Sequence, residues 1–176
     1  MAASSAATPT PALPTHPTFY PSPTYLFSAT VKLQTPLGPI PRLQGGSRLV
    51  EPIIEGTIQG PAFNATIDGG IAAPVLMEGE NGAESKTLYA FIYVYGHASD
   101  GSPFYFEEAG VGSPATQNTR VCLEVGGQYA ALQSTYILAQ PKVADAARTS
   151  ATVECFSLPL PPLVPQKPVV IDLPFS

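Results

Sequence analysis

The clearest pattern in the chain is the period-two alternation from Thr87 to Phe106, TLYAFIYVYGHASDGSPFYF. Aliphatic residues fill one set of alternate positions and aromatic residues fill the other, as in Leu88, Ala90, Ile92 and Val94 against Tyr89, Phe91, Tyr93 and Tyr95. Asp100-Gly101 is a hairpin-turn signal, and Pro103 to Phe106 begins the returning strand. Because neither face is polar, the pattern favours a barrel wall with the aromatic face lining a cavity. The alternative is an aromatic core strand of a β-sandwich.

Further strands are predicted by the same alternation. They cover Thr24 to Gln34, the broken stretches Arg48 to Asp68 and Ile71 to Met77, then Thr119 to Val125, Gln128 to Ala139 and Ala151 to Leu158. Only Gln140 to Ser150 has some helical propensity, and it is short. Many short strands separated by turn signals predict an all-β fold, a closed antiparallel β-barrel or a sandwich, and we expect the barrel.

Proline divides the chain into three parts. Residues 1–23 are rich in Ala, Ser, Thr and Pro, which predicts a disordered or polyproline II tail. Residues 24–158 form the expected barrel domain, and 159–176 are a proline-rich C-terminal extension. Because Val169 to Phe175 is apolar, we expect it to lie across the barrel or a neighbouring subunit.

Composition narrows the class of partner. The 176 residues carry a formal net charge of −5, and their eight Lys and Arg residues do not cluster, which argues against a nucleic-acid partner. The N-terminus has neither a basic nor an apolar signal region, and no apolar run approaches the ~20 residues of a membrane span. Cys122 and Cys155 are expected to be buried free thiols in a reducing compartment. These features predict a cytoplasmic protein without membrane partners.

The order of several short motifs resembles a microbial family catalogued as domain of unknown function 3237. They are LFSATVKL, Gly46-Ser47-Arg48, Pro52-Ile53, Gly56-Thr57-Ile58, Gly60-Pro61, Asp68-Gly69-Gly70, the central Asp100-Gly101 and the run LEVGGQYAALQ from Leu123 to Gln133. The match covers roughly Tyr25 to Leu158. It implies an antiparallel barrel resembling allene oxide cyclase, usually oligomeric.

The chain departs from the family at one position. The family often follows its Gly-Gly pair with Ala-Asp-Trp, whereas Ile71, Ala72, Ala73 and Pro74 follow here. The missing acidic residue puts any activity that depends on it in doubt.

Motifs for metals, phosphates and acyl transfer are lacking. His97 is the only histidine of the expected domain, the cysteines lack ligand spacing, and there is no phosphate-binding loop or GxSxG elbow. A cofactor is therefore not expected.

The remaining candidates are polar groups beside the aromatic face. Tyr93 or Tyr95 would donate a hydrogen bond to a substrate, Glu124 would be a base or orienting group, and His97 would shuttle a proton. The expected substrate-binding residues are Tyr89, Phe91, Arg48, Arg120, Tyr129 and Gln133.

Each of these assignments has a structural alternative. His97 is otherwise an exposed turn residue beside Asp100, and Glu124 with Arg120 is otherwise a structural or surface ion pair. Arg48 and Glu51 follow a glycine-rich loop, which places them at the cavity mouth or on a solvated rim.

Two functions remain open. The first is a cofactor-free isomerase or cyclase, such as a pericyclase, that folds a hydrophobic small molecule such as a secondary-metabolite intermediate in the cavity. The second is a non-catalytic small-ligand-binding or assembly module. A homo-oligomer is expected in either case, because an outward aliphatic face of the central strand and the apolar tail would need cover.

Overall fold

The structure is a computed structural model that describes residues 21–161, apart from 80, 81 and 146 and the side chains of 82–85. The N-terminal residues 1–20 and the C-terminal residues 162–176, with the expectations made for them, lie outside the described residues. The unit Ser22–Pro159 contains all the strands described below.

Ten strands follow one another along the chain. They are β1 (Thr24–Leu33), β2 (Leu37–Pro41), β3 (Ser47–Gln59), β4 (Ala65–Ala72), β5 (Val75–Gly79), β6 (Gly82–Ala98), β7 (Pro103–Gly112), β8 (Gln117–Val125), β9 (Ile137–Val143) and β10 (Ser150–Ser157). A 3₁₀ helix, Gly127–Ser134, is the only helical element of the residues described.

Eight of the strands close into an antiparallel barrel. Neighbouring strands pair in the order β1-β10-β9-β8-β7-β6-β4-β3, and β3 returns to pair with β1. Strands β2 and β5 extend the wall beside β3 and β6. The predicted all-β barrel is therefore confirmed, and closure removes the unpaired edges that an open sheet would expose.

Alternation along the strands separates an apolar interior from a mixed exterior. In β7, Phe104, Phe106 and Glu108 are buried while Tyr105 and Glu107 between them are exposed. In β8 the buried set is Thr119, Val121, Leu123 and Val125, and the exposed set is Arg120, Cys122 and Glu124. An eight-stranded barrel is just wide enough for such side chains to fill, so the interior is a packed core with limited free space.

Aromatic side chains fill one end of the barrel. Phe63 packs edge-to-face against Phe27, Phe104 and Tyr129, with ring centroids 5.6, 5.5 and 4.9 Å apart. Tyr129 comes from the 3₁₀ helix, and its hydroxyl is 2.6 Å from Ser99 Oγ. This end is therefore plugged, and the free interior space lies toward the other end.

Two expectations for the second half of the chain are wrong. Gln128 to Ala139 is not one long strand, because the 3₁₀ helix occupies Gly127–Ser134 and β9 begins at Ile137. Gly127, at φ +57°, makes the sharp change of direction after β8 that a regular strand would not allow. Gln140 to Ser150 contains no helix among its described residues, since β9 runs to Val143.

The cysteines agree only partly with expectation. Both are free, but Cys122 is exposed on β8 and only Cys155 is buried. Burial is the main cause that raises the pKa of the Cys155 thiol, and the charge of Glu108 is the second cause. Cys155 is therefore an inert core residue.

Candidate functional site

A small cavity lies inside the open half of the barrel. Its volume is about 70 Å³. Its wall is mainly aliphatic: Ala29, Val31, Leu33, Ile53, Ile58, Ile67, Ala72, Leu88, Ala90, Ile92, Val94 and Val153, with Phe106. Two carboxylic side chains, Glu51 and Glu108, are the acidic members of this lining. Acids in an apolar wall make this cavity the candidate site.

Glu108 is the more deeply buried of the two acids. Its exposed fraction is 1%, and Thr119 Oγ1 lies 2.5 Å from its Oε1. Burial raises the pKa of Glu108 to about 7, although the hydrogen bond from Thr119 acts in the opposite direction. Glu108 therefore stores a proton that it can release near neutral pH, as a general acid requires.

Thr119 links Glu108 to the backbone. Its Oγ1 is also 3.1 Å from the carbonyl oxygen of Ala139. The hydroxyl has one proton, which Thr119 donates to Glu108 Oε1 over the shorter distance, and the carbonyl oxygen of Ala139 is the more distant acceptor. This hydrogen bond fixes Oε1 as the accepting oxygen of Glu108, so that burial alone is the cause that raises the pKa. Among the described residues Glu108 Oε2 has no hydrogen-bond partner, which leaves it for a ligand in the cavity.

Glu51 forms an ion pair with Arg148 at the mouth. Arg148 Nε donates to Glu51 Oε1 over 2.5 Å, and Nη2 donates to Oε2 over 3.1 Å. The carboxylate side chain is only 3% exposed, whereas that of Arg148 is 24% exposed. Such a two-pronged pair is a strong, geometrically specific contact. It spans the wall of β3 and the loop between β9 and β10, and so covers the mouth.

The loop that carries Arg148 is held in an unusual conformation. Arg148 has φ +57°, the only positive φ of a non-glycine residue in the described ranges. Asp145 holds the loop by accepting hydrogen bonds from the backbone N–H groups of Thr149 and Ser150 and from both of their hydroxyls. These bonds, chiefly those of Thr149, lower the pKa of Asp145 to about 2. A left-handed arginine pairing a buried acid is the kind of local strain found at functional sites.

The two acids belong to one row across the barrel wall. Glu51 pairs with Ala72, Ala72 with Ile92, and Ile92 with Glu108. Three strand spacings separate them, or about 14 Å measured along the sheet. The row therefore presents an acid of raised pKa and a paired carboxylate to the same cavity.

The predicted orientation of the central strand is wrong. Leu88, Ala90, Ile92 and Val94 line the cavity, whereas Tyr89 and Tyr95 are 44% and 54% exposed. Phe91 and Tyr93 share the outer face by alternation, and Tyr93 stacks on Tyr105 with centroids 6.4 Å apart. The physical reason is space: a narrow eight-stranded interior accepts small aliphatic side chains, while tyrosine hydroxyls outside stay hydrated. Tyr93 and Tyr95 therefore cannot donate a hydrogen bond into this cavity.

His97 lies outside the cavity as well. It is exposed near the β6–β7 hairpin, and its Nδ1 is 2.6 Å from Asp68 Oδ2. This is the alternative considered from the sequence, a polar residue at the hairpin end.

The remaining sequence candidates separate into structural and surface positions. Glu124 and Arg120 are exposed on β8, and no ion pair joins them among the residues described. Arg120 instead lies over the Tyr136 ring, 5.5 Å from its centroid. Gln133 Nε2 donates to the carbonyl oxygen of Val125 over 2.8 Å. With Tyr129 in the aromatic plug, none of the four lines the cavity.

Three of the predicted substrate-binding residues do meet, but outside the barrel. Arg48, Tyr89 and Phe91 line a surface pocket of about 350 Å³ that also includes Arg42 and Met77. The sequence correctly predicted that Tyr89 and Phe91 share a face but assigned that face to the interior, and it predicted Arg48 only for the cavity mouth or a solvated rim.

Sequence reasoning missed Glu108, Thr119 and Arg148. Glu108 follows Phe104 and Phe106 at period two, so extending β7 by one alternation would have placed it inside. Glu51 was considered only for the mouth or rim, and the structure puts it at the mouth. Arg148 carries no sequence signal, because its contact with Glu51 spans 97 residues.

The described residues bear on membrane and metal binding in two ways. No described helix is long and apolar enough to cross a membrane. Within the described part of the chain, no group of three or more His, Cys, Asp or Glu residues is placed to hold a metal ion.

Comparisons with known proteins identify the fold alone. No protein-family model and no curated protein matches the chain by sequence. Solved structures are similar: a protein of unknown function from Clostridium acetobutylicum has 16% identity and a TM-score of 0.65, covering 78% of this chain and 99% of its own. An enzyme from Penicillium herquei has 20% identity and a TM-score of 0.61, with 84% and 100% covered. A β-barrel-like protein from Acinetobacter baumannii has 16% identity and a TM-score of 0.62, and the match covers 82% of this chain and 100% of that protein. This chain therefore shares their barrel fold over nearly their whole length.

Proposed function

We propose that this protein is a cofactor-free isomerase or cyclase that folds a hydrophobic small molecule, a secondary-metabolite intermediate, inside its barrel. The observation that carries the proposal is Glu108, a carboxylic acid 1% exposed on an apolar cavity wall with its pKa raised to about 7. One structural neighbour is described as an enzyme, which is compatible with a catalytic role for the fold. The proposal includes membership of the family that the motif order resembles, domain of unknown function 3237.

The chemistry needs only the residues of the cavity. Glu108 gives its proton to an alkene carbon or a carbonyl oxygen of the substrate, and an internal nucleophile of the substrate closes on the activated carbon. The proton lost from that nucleophile returns to the Glu108 carboxylate, so the product is an isomer and the enzyme is regenerated. General acid catalysis of this type contributes roughly 10²- to 10⁴-fold in rate.

Access to the cavity depends on the Glu51–Arg148 pair. A volume of about 70 Å³ is far below the ~300–1,000 Å³ of sites for drug-sized ligands. A polyene or polyketide-like substrate therefore enters when the loop carrying Arg148 moves and the mouth widens. Restoration of the ion pair then covers the substrate and excludes water.

The experiment is isotope incorporation with a matched pair of variants. Wild-type protein is incubated in D₂O with a panel of hydrophobic polyenes and phenolic polyketides, and products isomeric with the substrate are analysed by mass spectrometry for incorporated deuterium. Protonation at carbon predicts one deuterium per turnover. The E108Q variant should lose at least about a hundredfold in kcat, whereas E107Q, at the adjacent exposed position, should retain full turnover.

A second candidate is a non-catalytic binding or assembly module, and one observation favours it. The cavity is small while Tyr89, Tyr95 and Tyr105 are exposed on the outer wall, as interface residues often are. Binding of panel compounds without conversion, and equally well to wild type and E108Q, would favour this function over the enzyme. Turnover that persists in E108Q would remove Glu108 from the mechanism.

A further inference from the structure

We propose that the outer wall of the barrel carries a second ligand site, built by Arg42, Arg48, Tyr89 and Phe91, that binds a small aromatic carboxylate. The pocket has a volume of about 350 Å³. It lies between the loop after β2, the start of β3 and the outer faces of β5 and β6. Its size is within the usual range for small-molecule sites.

Arg48 is already oriented for recognition. Its Nη1 donates to the carbonyl oxygen of Ala73 over 3.0 Å, and its guanidinium lies over the Phe91 ring at 5.4 Å from the centroid. One bond and one stacking contact fix the plane of the group and leave other N–H donors unused. A guanidinium held in this way can bind a carboxylate with two parallel hydrogen bonds at a small cost in side-chain entropy.

Arg42 supplies a second cation from a tightly folded loop. Its backbone N–H donates to the carbonyl oxygen of Gly46 over 3.2 Å, and its own carbonyl oxygen accepts from Gly45 N–H over 3.1 Å. Gly45 and Gly46 have φ values of +86° and +69°, which allow this turn. No carboxylate of the described residues lies within ion-pair distance of Arg42 or Arg48. In a chain of net charge −5, two such arginines in one pocket favour an anionic ligand.

The rest of the lining selects the body of the ligand. Val75 and Met77 supply apolar and polarisable surface, and the exposed Tyr89 ring offers a stacking face beside Phe91. Glu78 also lines the pocket and disfavours a second negative charge. A ligand with one carboxylate on an aromatic ring satisfies the two arginines, the aromatic faces and this acid together.

This site is independent of the barrel cavity. Tyr89 and Phe91 alternate with Leu88 and Ala90, so the strand wall of β6 separates the two spaces. A ligand bound outside does not contact Glu108, and the outer site stands whether or not the protein is a catalyst.

Titration with 1-naphthoate and its neutral analogue 1-naphthamide tests the proposal. Isothermal titration calorimetry should give one naphthoate per chain and binding of the amide at least about tenfold weaker, because charge-assisted hydrogen bonds are lost. R48Q and R42Q should each weaken naphthoate binding about tenfold or more. R120Q is the matched control, since Arg120 also stacks on an outer aromatic ring but lies outside the pocket; its affinity should equal that of wild type.

Several outcomes would overturn the proposal. Absence of naphthoate binding would do so, as would equal affinities for naphthoate and naphthamide or unchanged binding in both R42Q and R48Q. Thermal melts exclude unfolding as the cause of lost binding, and having two variants on separate elements protects the test if one of them misfolds. The last measurement is sedimentation velocity. Dissociation of an oligomer by R42Q would also overturn the proposal, because it would identify the pocket as an interface between copies of the chain.

Discussion

Glu108 should make the free energy of unfolding fall as pH rises from about 4.5 to 7. The carboxyl has its ordinary pKa of 4.5 in the unfolded chain and about 7 in the folded one. Between these values the unfolded state loses its proton while the folded state keeps it, which favours unfolding. The stabilisation is therefore complete below pH 4.5, is lost progressively above it, and reaches its lower plateau above pH 7.

The magnitude follows from the size of the shift. A rise of roughly 2.5 pH units at 1.36 kcal/mol per unit corresponds to about 3 kcal/mol. This is a substantial part of the 5–15 kcal/mol typical of small domains. With a urea dependence of roughly 1–3 kcal/mol per M, the unfolding midpoint should fall by about 1–3 M across the window.

The E108Q variant isolates this contribution. Glutamine has nearly the same shape as glutamate but does not titrate in this pH range. The difference in free energy of unfolding between wild type and variant should therefore change by about 3 kcal/mol from pH 4.5 to 7.5. Urea unfolding followed by far-ultraviolet circular dichroism at several pH values measures it. E107Q is the control, because Glu107 is exposed next to Glu108 and its replacement should leave the profile parallel to wild type. If wild type and E108Q profiles are parallel instead, the carboxyl is not buried as a neutral acid, and the argument for a general acid fails with it.

Three further predictions concern the mouth, its loop and the outer wall. E51Q should destabilise the fold by about 1–3 kcal/mol in urea, because Arg148 loses its carboxylate, and the double variant E51Q/R148M should recover part of that loss. D145A should raise the rate of amide hydrogen exchange at Thr149 and Ser150; unchanged exchange would show that other contacts hold the loop. In the wild type, the contribution of Asp145 to the free energy of unfolding should be lost as pH falls from 3.8 toward 2, because the pKa is lower in the folded state than in the unfolded state. Y95R should shift a homo-oligomer toward monomer in sedimentation velocity if the exposed aromatic face forms the interface, whereas K32E, on β1 and three strands round the barrel from β6, should not.

Fold class was predictable because alternation is a local property. The strand from Thr24 and the hairpin at Asp100-Gly101 are read directly from period two and turn chemistry. The 3₁₀ helix was not predictable in this way, since Tyr129 owes its position to packing on Phe63, 66 positions earlier in the sequence. Tertiary contact therefore overrides the strand-like composition of that segment.

The site was harder to predict because it depends on contacts that sequence spacing does not encode. Arg148 and Glu51 meet only when β10 and β3 both pair with β1 and the loop before β10 turns back over the mouth. The positive φ of Arg148 occurs in a loop held by local hydrogen bonds to Asp145, and these bonds by themselves do not indicate that Arg148 reaches Glu51.

The choice of inner and outer face was available from the sequence once neighbouring strands are considered together. Residues opposite one another across a sheet share a face, and Tyr95, Tyr105 and Glu124 form one such row. The sequence correctly predicted that Tyr95 and Glu124 lie on the same face of the sheet. However, β8 carries both Arg120 and Glu124 on that face, and charged residues belong outside a narrow barrel. The row Ile92, Glu108 and Val121 must then point inward. A single acid on an otherwise apolar inner row is the exceptional residue, so strand register identifies Glu108 where hydrophobicity alone pointed to the tyrosines.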